Sequence, residues 1–133
     1  MFEELAMITH LKDLCRQILA EDCCIRFIGI SNKFGRQIVG EYRKGLIPLL
    51  TECQSDLCTI ESIIRMNTRI DLQSQMGKPI YSFTMYEKIK RATISLENKD
   101  YPIVMVSFDK EVNHEPIILN KIIPFVKKEL ARY

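Results

Sequence analysis

The chain has 133 residues, 47% of them hydrophobic and 27% charged, the balance of a domain that buries its own core rather than of a disordered or disulfide-stapled chain. Its 19 basic and 17 acidic residues leave a formal charge of +2, too weak a field to gather phosphates or anionic lipid, so no nucleic acid and no membrane is expected as a partner. No apolar run approaches the roughly 20 residues that span a bilayer, and Glu3 and Glu4 stand where an export signal needs basic residues; the expected organisation is one domain over residues 1–133, in the cytoplasm.

From Glu3 to Ala20 the apolar residues Leu5, Ile8, Leu11, Cys15, Ile18 and Leu19 recur at helical spacing. CIRFIGI (24–30) and RQIVGEY (36–42) are rich in β-branched and aromatic residues, and Asn32–Gly35 between them supplies turn formers, so the two read as a hairpin. Gly45 and Pro48 break the pattern. Thr51 and Gln54 then form a capping box that opens a long helix, and Gly77 with Pro79 closes it, which predicts a helix over Thr51–Met76. IYSFTMY from Ile80, RATISL from Arg91 and YPIVMVSF from Tyr101 alternate with the period of a sheet and read as a meander. Asn113 and Pro116 open a last helix whose buried stripe is Ile118, Ile122, Phe125 and Val126, with Lys127, Lys128 and Arg132 at the negative end of its dipole. Pro124 within it predicts a kink or a break.

The order is α-β-β-α-β-β-β-α. The strands at Ile25–Ile30 and Ile103–Phe108 are apolar at nearly every position, as strands covered on both faces are, and are expected at the centre of the sheet. This order resembles the roadblock/LC7 fold, a relative of longin and profilin-like domains. The resemblance implies an α/β (α+β) architecture, a five-stranded antiparallel sheet with helices on both faces. The run LCRQILAEDCCIRFIGISNKFGRQIVGEYRKGLIPL, with its I-R-F-x-G, hairpin and G-x-x-R-x-G pattern, and FTMYEKIKRATISL further on, resemble a group of small uncharacterised proteins of ammonia-oxidising archaea. That resemblance carries no known activity, so it offers no catalytic residues to transfer. What roadblock-type domains imply as a class is regulation by contact, as homodimers or heterodimers that serve small GTPases or motor and signalling complexes.

The middle helix carries two apolar stripes. Cys53, Leu57, Ile60 and Ile64 are expected to meet the sheet, while Ile63, Met66 and Ile70 lie about a quarter turn or more away and are expected to form a dimer or partner interface. Loops or the last helix covering that second stripe would be the alternative. Cys15, Cys23, Cys24, Cys53 and Cys58 are odd in number and lack the paired spacing of a zinc site, so they are expected as reduced, buried structural thiols. His10 and His114 sit near no nucleophile motif, and no phosphate-binding glycine loop is present. No cofactor, metal or catalytic residue is therefore expected. A non-enzymatic interaction module that pairs as a homodimer is the first expectation. A PAS- or GAF-like ligand sensor, with Met66, Met85 and Met105 lining its pocket, is the alternative.

Overall fold

The computed structural model describes residues 2–131. Helix α1 (Phe2–Glu21) leads into β1 (Ile25–Ser31) and β2 (Gln37–Tyr42). Helix α2 (Glu52–Ile70) and the short α3 (Gln73–Met76) precede the strands β3 (Tyr81–Met85), β4 (Ile89–Ser95) and β5 (Ile103–Asp109). The chain ends in α4 (His114–Pro116), a π-helical segment (Ile117–Ile122) and α5 (Ile123–Leu130), which run on from one another. Arg132, expected in the last turn, lies outside the described residues.

The five strands form one antiparallel sheet in the order β2-β1-β5-β4-β3, with β5 in the middle and β1 beside it. Alternation along each strand sorts the side chains onto two unequal faces. One face carries Ile28, Ile30, Val39, Ala92, Ile94, Val104, Val106 and Phe108, buried beneath α1 (Leu11, Leu14, Cys15, Ile18) and the terminal helix (Ile117, Ile118, Ile122, Val126). Each fully buried Leu, Ile or Val there contributes about 1.5–3 kcal/mol, and this layer is the main core.

The opposite face carries far less apolar bulk. Gly29 pairs with Gly40 in register, and Ser31, Ser95 and Ser107 are buried. A Cβ on Gly29 would come within 2.8 Å of the Phe27 ring, and one on Gly40 within 3.1 Å of the same ring. Phe27 thus lies across the glycine pair and fills the space a side chain at Gly29 would take, while the Gln37 side chain and Phe27 together fill that at Gly40.

Thr51 caps α2 as the sequence requires. Its Oγ1 accepts from the Gln54 N–H at 3.2 Å, and its own N–H donates to Gln54 Oε1 at 2.9 Å. The helix ends at Ile70, earlier than the expected Met76. Leu72 N–H turns back to the Arg69 carbonyl, and residues 71–78 are exposed, so nothing packs on a straight continuation. Gly77 then closes α3 with φ of 82°. The disruption expected around Pro124 takes the form of the π-helical turn just before it, where Ile123 N–H reaches the Ile118 carbonyl five residues back. Widening that turn keeps the backbone bonded while proline, which has no N–H to give, enters α5 near its start. Strand β4 starts two residues before the expected Arg91. Lys90 is buried there and donates from Nζ to the Val112 carbonyl at 2.7 Å.

Two glycines outside the regular elements separate backbone strain from contact. Gly35 and Gly45 have φ of 82° and 84°, but a Cβ on Gly35 would meet the Ile60 Cα at 3.1 Å, whereas one on Gly45 meets nothing within 4 Å. Gly45→Ala is expected to cost about 1 kcal/mol in urea denaturation, the left-handed penalty alone. Gly35→Ala is expected to cost more, about 2 kcal/mol, because α2 must also shift.

Candidate interaction surface

On α2, Thr59, Ile63 and Met66 are buried, and Ile63 and Met66 pack with Ile103 and Met105 of β5 while Phe27 and Ile70 close the edges. This reverses the assignment expected from the sequence. Ile63, Met66 and Ile70 are the sheet contact and are already shielded within one subunit, whereas Leu57, Ile60 and Ile64 are 63%, 45% and 60% exposed. The glycine- and serine-rich face decides between the stripes: it leaves room at β5 for the residues that reach down to Ile103 and Met105, and offers no large side chains for a second row. Cys53, expected on the sheet side, is exposed as well.

The two sides of α2 differ in chemistry. Away from β3 lies the apolar stripe, with Ile60 set against Gly35 of the first hairpin. Toward β3, Cys58, Ser62, Arg65 and Arg69 face Ser82, Thr84, Arg91 and Thr93 across a groove of about 110 Å³. Arg65 is paired with Glu61 one turn earlier. Leu49 and Leu50, in the loop leading to α2, line a neighbouring groove of about 450 Å³ with Cys58, Tyr86 and Ile89.

The residues of the I-R-F-x-G and G-x-x-R-x-G pattern meet at one end of the sheet. Arg26 Nη1 donates to Asp109 Oδ1 at 3.1 Å, and Arg43 donates to both Asp109 oxygens at 2.7 and 3.2 Å and to the Cys23 carbonyl at 2.6 Å. Hydrogen bonding from Arg43 holds the Asp109 carboxyl below its ordinary range against the opposing effect of burial, and Arg26 adds to it. With Phe27 on Gly29 and Gly40, the pattern is accounted for as a clamp joining β1, β2 and β5.

Other expectations change on contact with the structure. Of the five cysteines only Cys15 is buried, and burial pushes its thiol up to about 12; Cys23 and Cys53 are exposed, Cys24 and Cys58 half-buried. Met66 and Met105 pack against each other in the core while Met85 is exposed on β3, so the three methionines share no cavity. His10 Nε2 lies 3.3 Å from the Glu129 carbonyl oxygen. His114 stacks on Phe83 with ring centroids 4.0 Å apart. Among the described residues no group of three or more His, Cys, Asp or Glu side chains converges to hold a metal, and no helix is long and apolar enough to cross a membrane.

Comparison with solved structures agrees with the topology. The gliding protein MglB of Thermus thermophilus superposes with a TM-score of 0.71 at 8% identity, over 94% of this chain and 91% of that one. Myxococcus xanthus MglB gives 0.68 at 12% identity over 94% and 90%, and a roadblock/LC7 domain from Streptomyces avermitilis gives 0.69 at 7% over 91% and 95%. The fold is that of the roadblock/LC7 domain. No protein-family model and no curated protein matches the sequence. At identities this low the roadblock/LC7 likeness establishes the architecture, and the site must be argued from its own residues.

Met66→Ala should cost about 2–4 kcal/mol in chemical denaturation, the loss expected at a buried site, whereas Ile64→Ala should cost less than about 1 kcal/mol. His114 titrates below its ordinary value of 6.5, chiefly because burial disfavours the charged ring and also because Lys90 is near, with Glu115 opposing. The folded state therefore takes up the proton less readily than the unfolded chain, so this contribution to stability is complete above 6.5 and is lost as pH falls through the lower folded value. Among the described residues Nδ1 has no hydrogen-bond partner to lose. His114→Phe, which keeps a ring on Phe83, should thus lessen the fall in melting temperature on acidification relative to the parent protein.

Proposed function

We propose that this chain is a non-enzymatic interaction module of roadblock type, working in the cytoplasm as a homodimer that contacts signalling or GTPase-type partners. The carrying observation is the apolar row Leu57, Ile60 and Ile64 on the outer side of a well-capped helix, with its sheet contact already made by Ile63 and Met66. A row of large aliphatic side chains at helical spacing gains most by meeting an identical row, and a two-fold axis beside α2 brings two such helices together with each residue facing its counterpart region. The fold likeness supports this reading, as does the solved structure described as MglB with tetrameric arrangement, which covers 90% of this chain with a TM-score of 0.64 at 14% identity. Exposed, unpaired thiols at Cys23 and Cys53 favour a reducing compartment. The three methionines share no cavity, so they lend no support to the ligand-sensor alternative.

Mass in solution tests the pairing. The parent protein should sediment as a dimer at tens of micromolar, and Leu57→Glu with Ile64→Glu should give a folded monomer, because each carboxylate would have to be desolvated without a counter-charge. A parent protein that is monomeric at that concentration, or a dimer unmoved by both substitutions, would refute pairing through this row.

A further inference from the structure

Cys23 and Cys24 occupy the two central positions of the turn between α1 and β1, a turn closed by Ile25 N–H donating to the Asp22 carbonyl at 3.3 Å. Neighbours in sequence, their thiols are also neighbours in space. Burial raises the Cys24 thiol above its ordinary value, and hydrogen bonding with the Cys23 thiol raises it further, as does the nearby Asp22. Cys23 is exposed and Cys24 half-buried. The other three cysteines offer no such pair: Cys15 is buried, and Cys53 and Cys58 are turned about 140° from each other around α2.

The peptide group that joins the two cysteines is held through both of its polar atoms. Its carbonyl, on Cys23, accepts from Arg43 Nη1 at 2.6 Å, and its N–H, on Cys24, donates to Asp22 Oδ1 at 2.9 Å. Arg43 carries that hold to Asp109, and Asp22 carries it to Lys121 of the π-helical segment, whose Nζ lies 3.1 Å from Oδ2. Consecutive Cα atoms lie about 3.8 Å apart, closer than the roughly 4.4–6.8 Å that a relaxed disulfide spans, so bonding these two sulfurs must twist the peptide between them. The unit that would twist is the one whose polar atoms tie the turn to β2 and to the terminal helix. Strain of that kind also makes a disulfide easy to reduce.

We propose that Cys23 and Cys24 are a reversible oxidation site, closing to a vicinal disulfide that releases the Arg43 and Asp22 hydrogen bonds. The oxidant is hydrogen peroxide. The exposed Cys23, as its thiolate, attacks one peroxide oxygen; the O–O bond breaks, the leaving oxygen takes up a proton and departs as water, and Cys23 becomes a sulfenic acid. The Cys24 sulfur then attacks the Cys23 sulfur and gives its proton to the departing hydroxide, which leaves as a second water. The two sulfurs together lose two electrons and the peroxide gains them. The thiols of a reducing compartment reverse the step by exchange through a mixed disulfide, as suits a transient signal rather than a structural bridge. The site uses no residue of the α2 row, so it stands whether or not the chain pairs there.

The full chain, reduced and then treated with an equimolar amount of hydrogen peroxide, should lose the mass of two hydrogen atoms. Trypsin should place that loss in residues 17–26, which hold Cys23 and Cys24 and no other cysteine. The Cys24 amide should then exchange faster and the urea midpoint should fall, both returning when reduced glutathione is added. Cys24→Ser should stop at a Cys23 sulfenic acid that dimedone traps, and Cys23→Ser should be oxidised in the same peptide about tenfold more slowly or less. Oxidation appearing first in residues 45–65, which carry Cys53 and Cys58, would overturn the proposal. So would a covalent dimer joined through Cys23, or a disulfide in residues 17–26 that leaves the Cys24 amide and the urea midpoint unmoved.

Discussion

The organising constraint is the inequality of the two faces of the sheet. One face presents Ile28, Ile30, Val39, Ile94, Val104, Val106 and Phe108 and takes two helical layers. The other is lowered by the Gly29–Gly40 pair and by Ser31, Ser95 and Ser107, so Ile103, Met105 and Phe27 supply nearly all its apolar contact. A helix laid on so narrow a strip can bury one row of side chains. The remaining row stays largely outside because there is nothing large on the strands to receive it: Ile60 meets the turn at Gly35, and Leu57 and Ile64 stay exposed. Both the exposed row of α2 and the polar groove on its other flank follow from that one property of β1, β2 and β5.

The architecture is legible in the sequence because it depends on local signals that agree with one another. The capping box at Thr51 and Gln54, the left-handed Gly77, the turn at Asn32–Gly35 and the continuous apolar character of β1 and β5 each fix an element or its place without reference to the rest. Pro124 announces a disturbance whose form, a widened turn before it, cannot be read from the residue itself. The end of α2 escapes a sequence reading for a related reason. Residues 71–76 keep helical character, but they are exposed, and a helix end set by the loss of a packing partner leaves no mark in the sequence.

The stripes of α2 are harder to assign, and periodicity alone points the wrong way. Both rows are aliphatic and both repeat at helical spacing, which gives two directions of nearly equal weight. What separates them lies on the strands. Gly29, Ser31, Gly40 and Ser107 all fall on one face, and that placement marks it as shallow. Combined with the continuation of Ile63 and Met66 through Ile70 toward the end of the helix, it favours a single row of contact there. The I-R-F-x-G and G-x-x-R-x-G pattern resolves in the same way: Arg26 and Arg43 converge on Asp109, a residue 83 and 66 positions away from them in sequence, and only the sheet order reveals the three as one clamp.

That clamp also explains why the chemistry of the molecule is distributed along its rim. At the β1–β2–β5 end, two arginines are answered by Asp109, the carboxylate is held ionised, and the arrangement is complete within one chain. On the flank between α2 and β3, three arginines face one glutamate, which already serves Arg65. Like charges gathered where water is partly excluded are tolerated at a cost unless an anion joins them, and the cost grows as the site becomes drier. The two clusters are built from the same residue types on the same sheet, so the difference between them is the missing acid.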